Sequence, residues 1–135
     1  MAKRRRREPA RVDRLVVDAV HLDQLREHGG LPGLRDENAL ESALARPRNR
    51  WHYGTNVDLV TLAAACGWGL ATSHPYRDGN KRVGFVTMAT FVELNGYVLA
   101  VSEEEVVHVM LAVADRRRTE RELADWVRAL LIKKR

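Results

Sequence analysis

The chain has a single cysteine, so no disulfide can form within it. Cys66 ends the run Ala63-Ala64-Ala65-Cys66 and reads as a small buried hydrophobe rather than a nucleophile, which suits a reducing cytoplasm. No apolar stretch approaches the roughly 20 uncharged residues of a membrane span. The cationic N-terminus is not followed by the apolar core and cleavage pattern of a secretory signal. Both absences point away from a membrane role. There is no Gly-x-x-x-x-Gly-Lys-Ser/Thr, which excludes a P-loop nucleotide site, and no serine has a nucleophile-elbow context. His21, His28, His52 and His108 lack metal-ligand spacing and there is no cysteine pair, so a zinc site is not expected. Of these four, only His21 lies on a predicted helix face that can approach the loop described below.

What the chain has is apolar residues at helical spacing. With 135 residues, 45% hydrophobic and 30% charged, it is expected to form one domain. A chain of this size buries roughly two-thirds of its unfolded surface. The net charge of +5 is concentrated at the ends, in Lys3-Arg4-Arg5-Arg6-Arg7 and in Lys133-Lys134-Arg135. Such blocks read as solvated tails, with contact to nucleic acid or an acidic partner as the alternative. Residues 1–11 are expected to be a disordered basic tail and residues 12–135 the domain.

Leu15, Val16, Ala19, Leu22 and Leu25 predict a first helix from Val12 to His28, closed by Gly29-Gly30. Asp36 caps a predicted second helix, Glu37 to Ala45, which Pro47 should stop. Residues 48–56, with Trp51, His52 and Tyr53, follow neither helical nor strand period and are expected to be irregular. A third helix begins at Asn56 or Asp58 and reaches Ser73. Its alanines and glycines, Gly67 and Gly69 among them, predict close helix–helix approach. The fourth, Asn80 to Asn95, is apolar nearly all round and therefore central. Tyr97 to Val101 reads as an extended connector. Ser102 with Glu105 and Thr119 with Glu122 are capping boxes for a fifth helix, Glu103 to Ala114, and a sixth. The sixth buries Leu123, Trp126, Val127 and Leu130, with the terminal lysines at its C-terminus. The expected architecture is all-α, a compact helical bundle.

Between the third and fourth helices lies Ser73-His74-Pro75-Tyr76-Arg77-Asp78-Gly79-Asn80-Lys81-Arg82. It holds one imidazole, one carboxylate and three cations between two rigid apolar elements, a placement typical of chemistry. Gly79 lets backbone N–H groups approach an anion. Asn80, Lys81 and Arg82 open the next helix, where free N–H groups and the dipole favour negative charge, and Arg can grip phosphate bidentately. Asp78 is a hard oxygen ligand of the kind magnesium takes beside phosphates. His74 can accept a proton from an attacking hydroxyl. Tyr76 carries a hydroxyl that needs a partner if buried.

His74-Pro75-Tyr76-Arg77-Asp78-Gly79-Asn80-Lys81-Arg82 resembles the signature loop of the Fic/Doc family, His-Pro-Phe-x-Asp/Glu-Gly/Ala-Asn-Gly/Lys-Arg. Lys81 in place of Gly, and Phe85 in place of a second Arg, resemble the Doc (death-on-curing) branch; Gly79, where Doc members commonly have Ala, resembles Fic. The segments from Gly29 to Asp36 and from Leu40 to Pro47 are similar to the N-terminal half of Doc-like toxins.

The resemblance implies the Fic/Doc fold and a toxin of a toxin–antitoxin system. It implies transfer of the γ-phosphoryl group of ATP or another nucleoside triphosphate, with Mg2+, to a protein hydroxyl, the family's target being a translation factor of the elongation factor Tu type. It gives His74 the role of base, Asp78 that of metal ligand, and Gly79, Asn80, Lys81 and Arg82 that of phosphate binding. In the family the stretch between the second and third helices is a flap that aligns the target, here Trp51, His52 and Tyr53. Those residues alone fit a surface loop covering the core equally well. No Ser or Thr has Glu four residues later, so the family's inhibitory helix is not found in the chain. An antitoxin protein supplied in trans is therefore expected. Nucleotidyl transfer (AMPylation) by the same His74, or a non-catalytic basic binding module on the same scaffold, are the alternatives.

Overall fold

The computed structural model describes residues 7–135, and its centre is a pair of helices with the signature loop at one end. These are α3 (Leu59–Ser73) and α4 (Asn80–Leu94). In α3 nearly every residue from Val60 to Ala71 is buried. Its small residues let α4 approach: a Cβ on Gly67 would lie 2.4 Å from both Cγ and Sδ of Met88. Met88 is itself fully buried and has nowhere to retreat. Gly67→Ala is therefore expected to cost about 1–3 kcal/mol by overpacking, read as a lowered denaturation midpoint. An unchanged midpoint would mean the two helices are not this close. Cys66 is buried beside Gly67, and burial pushes its thiol up to about 12, as befits an inert core cysteine.

The other elements wrap this pair. α1 (Arg14–His28) packs on α4, capped by Asp13, which accepts from the Val16 N–H. Its buried face only partly follows the predicted stripe: Val17 and His21 are buried and Val16 and Val20 pack against the core, whereas Leu15 and Leu22 are exposed. Arg14 ties α1 to the next helix through Glu37 and Glu41.

α2 (Glu37–Tyr53) corrects a second expectation, because Pro47 lies inside it rather than ending it. An internal proline loses one backbone bond and costs about 3 kcal/mol. Here Ala43, Pro47 and Trp51, each four residues apart, share the face turned to the core, and the burial of that face offsets the cost. As a consequence the expected flap is not irregular. Trp51, His52 and Tyr53 form the last turn of α2, and only residues 54–58 link it to α3.

After α4, β1 (Tyr97–Leu99) pairs antiparallel with β2 (Leu131–Lys133), Val98 opposite Ile132. Lys133 is therefore the last residue of a strand and Lys134 follows it, rather than either standing at a helix end. Between the strands lie α5 (Glu103–Ala114) and α6 (Glu120–Leu130). Thr119 and Glu122 form the full capping box. Ser102 accepts from the Glu105 N–H, but the Glu105 carboxylate instead takes the Trp126 indole N–H at 3.0 Å, so that box is half made. The architecture is all-α apart from this ribbon. No helix among the described residues is long and apolar enough to cross a membrane.

The expected basic tail lies largely outside the described residues. At its end, Ala10 exchanges backbone hydrogen bonds with the Asn95 side chain (2.8 and 2.9 Å), and Val12 is buried in the core.

Candidate active site

α3 ends at Ser73, and His74 then turns the chain with a left-handed backbone (φ 50°, ψ 59°). His74 is exposed, and among the described residues no hydrogen bond to its imidazole is recorded. The loop continues through buried Pro75 and Tyr76 to Gly79, whose φ of 83° favours glycine at the head of α4.

Three side chains hold this loop in shape. Asn80 is 8% exposed; its Oδ1 accepts from the Tyr76 N–H and its Nδ2 donates to the Tyr76 carbonyl, both at 2.9 Å. Its amide is thus committed to the loop's own backbone, and only its main-chain N–H remains for an anion. Asn80→Asp keeps the acceptor but sets a carboxylate oxygen against the Tyr76 carbonyl. A loss of about 1–3 kcal/mol in chemical denaturation is expected, and a change below about 0.5 kcal/mol would contradict this role. Tyr76, 2% exposed, donates its hydroxyl to Asp18 Oδ1 at 2.7 Å. Burial, then the bond to Asp18, hold its phenol above the usual tyrosine range. His21, 3% exposed, stacks on the Tyr76 ring at 3.8 Å and donates from Nε2 to the Asp78 carbonyl at 2.9 Å. Its approach to the loop was legible in the sequence; its role is support.

Against the first turn of α4 lies a cleft of about 400 Å³. Asp78, Gly79, Asn80, Lys81 and Arg82 form one wall, His28 to Gly30 a second, and Val106, Val107 and Met110 of α5 the third. Lys81 and Arg82 are exposed, and neither has a recorded ion pair among the described residues. By contrast Arg14, Arg46, Arg50 and Arg128 are each tied to carboxylates. Unpaired cations over free helical N–H groups form a ready anion site.

Asp78 Oδ2 accepts from the Leu31 N–H at 2.6 Å. No bond to its Oδ1 is recorded among the described residues. Gly30 permits this close approach, since a Cβ there would stand 3.0 Å from the Asp78 Cβ. No group of three or more His, Cys, Asp or Glu side chains is placed to hold a metal among the described residues. One free carboxylate oxygen beside a cationic cleft fits magnesium, which with nucleotides takes waters and phosphate oxygens as its other ligands.

The structure places His74 at the end of α3 and residues 78–82 at the head of α4, and of these only residues 78–82 line the cleft; His74, Trp51, His52 and Tyr53 do not. The main chain paired with the loop is instead Gly33 to Asp36. Leu34 bridges to Tyr76, the Arg35 and Asp36 N–H groups donate to the Pro75 carbonyl, and the Arg77 N–H donates to that of Gly33. Asp18 and Arg35 were not singled out in the sequence. A polar residue three before His21 on the same helix face was the available signal for Asp18.

The family model described as "Fic/DOC family" matches residues 12–92, more than half of the chain. The chain belongs to the Fic/Doc family. It is 28% identical over 112 residues to "Protein kinase doc" of Escherichia phage P1, covering 83% of this chain and 88% of that protein. It is 39% identical over 74 residues to "Toxin Doc" of Mycolicibacterium smegmatis, covering 53% of this chain and 56% of that one. Both relatives place it on the Doc branch, as Lys81 and Phe85 suggested. Phe85 is half-buried and packs at 6.1 Å on the Trp126 ring, so that position serves the core rather than supplying a second arginine.

Proposed function

We propose that this Doc-branch protein is a toxin that transfers the γ-phosphoryl group of a nucleoside triphosphate to a protein hydroxyl. The reading is carried by the cleft at the head of α4, where Lys81 and Arg82 stand without recorded ion pairs beside Asp78, four residues after an exposed His74. The names of the two relatives, a protein kinase and a toxin, support it.

In this mechanism His74 takes the proton of the attacking hydroxyl as its oxygen bonds to the γ-phosphorus. The bond from that phosphorus to the β–γ bridging oxygen breaks, and the nucleoside diphosphate leaves. Lys81, Arg82 and the main-chain N–H groups opening α4 neutralise the phosphate oxygens, so catalysis rests on positioning and charge. Asp78 would hold magnesium, whose chemistry there is to offset phosphate charge. A translation factor of the elongation factor Tu type is the proposed acceptor and a separate antitoxin chain the proposed restraint, with the cytoplasm as the place of action.

Incubating the protein and a cell lysate with ATP labelled at the α or the γ position tests the reaction. Label on protein from the γ position alone is expected. Label from the α position alone would replace phosphoryl transfer by nucleotidyl transfer, and no label from either would favour a non-catalytic module.

A further inference from the structure

The end of α3 has a missing closure. A helix that ends in a left-handed residue ordinarily returns the next one or two N–H groups to its last carbonyls. Here the residue after His74 is Pro75, which has no N–H, and the N–H of Tyr76 is spent on Asn80 Oδ1. The carbonyl of Ser73 and those of the two residues after it are met from outside the helix. Arg35 donates from Nη2 to the Ser73 carbonyl at 2.7 Å and from Nε to the His74 carbonyl at 2.6 Å. Its own N–H reaches the Pro75 carbonyl at 2.8 Å. One residue thus holds three consecutive carbonyls, those of His74 and of its neighbours on either side. Its charge also sits where the helix dipole is negative.

His74 carries a Cβ in a conformation that costs an L-residue roughly 1–2 kcal/mol, and such a residue persists only when its surroundings over-determine it. We propose that Arg35 is a positioning residue for His74, fixing the backbone from which the imidazole reaches the reacting hydroxyl. This deepens the proposed phosphoryl transfer and rests on it for its kinetic consequence. Arg35 does not line the cleft of Gly79, Lys81 and Arg82, so the hold on the triphosphate does not run through its side chain.

The test uses the full chain with Arg35→Ala and Arg35→Lys. In γ-labelled ATP transfer, Arg35→Ala is expected to lower kcat about 100-fold, the scale of an ångström-sized misplacement, with KM for ATP within about twofold. Arg35→Lys, a single donor group in place of the fork, is expected to fall between it and the parent. A kcat within about twofold of the parent, or a KM raised as much as kcat falls, would overturn the proposal. Imidazole NMR signals give a readout that needs neither turnover nor the same thermal stability: His74 should shift and broaden in both variants while His21 keeps its position. An unmoved His74 signal overturns the role of Arg35 whatever the parent does with ATP. Absence of transfer by the parent, with His74 moved in both variants, would overturn the kinase reading and leave Arg35 supported.

Discussion

Replacing His74 by Asn is expected to reduce phosphoryl transfer by about 10²–10⁴-fold, the usual contribution of a positioned general base. Asn is a cleaner choice than Ala because it tolerates the left-handed backbone found at this position (φ 50°). The imidazole is exposed and contributes nothing to the core, so the denaturation midpoint should move by no more than a few degrees. Binding of ATP should persist, because the cleft is lined from Asp78 onward and His74 is not part of its wall. Transfer by His74→Asn within about tenfold of the parent would remove His74 from the role of base.

Arg82→Ala is expected to produce the second large loss, about 10²–10³-fold in transfer, comparable with removal of one preorganised donor from a developing anion. The side chain is exposed and no recorded ion pair depends on it among the described residues, so the fold should be indifferent to its removal. Arg82→Lys should recover only part of the activity, since a point charge cannot reproduce a two-pronged grip on phosphate oxygens. The affinity for ATP should fall as well, and should then depend less steeply on salt. Equal loss of activity and of thermal stability would instead assign Arg82 to the architecture.

The nature of the site determines how much of it was legible. The chemistry of residues 74–82 is local: a glycine, a helix start and consecutive cations announce an anion site without knowledge of what packs nearby. The caps at Asp36 and Thr119 were equally readable, because each acts within its own turn, and Asp58 is the cap of the two candidates offered for α3. What pairs with the loop was not. Arg35 and Asp18 act across 39 and 58 residues of chain, and nothing in their own neighbourhoods marks them. Pro47 misled for the same reason, since its cost is local but the burial of Ala43, Pro47 and Trp51 that offsets it is tertiary. The ribbon of Tyr97–Leu99 with Leu131–Lys133 joins segments too short to announce themselves as strands.

The most direct measurement is a crystal structure with a non-hydrolysable ATP analogue and magnesium. Phosphates are expected against the main-chain N–H groups of residues 79–82, with Arg82 forked onto their oxygens and the His74 imidazole facing the terminal phosphorus across a gap wide enough for one hydroxyl. Phosphates lodged elsewhere, or a His74 turned away from the terminal phosphorus, would contradict the proposed mechanism.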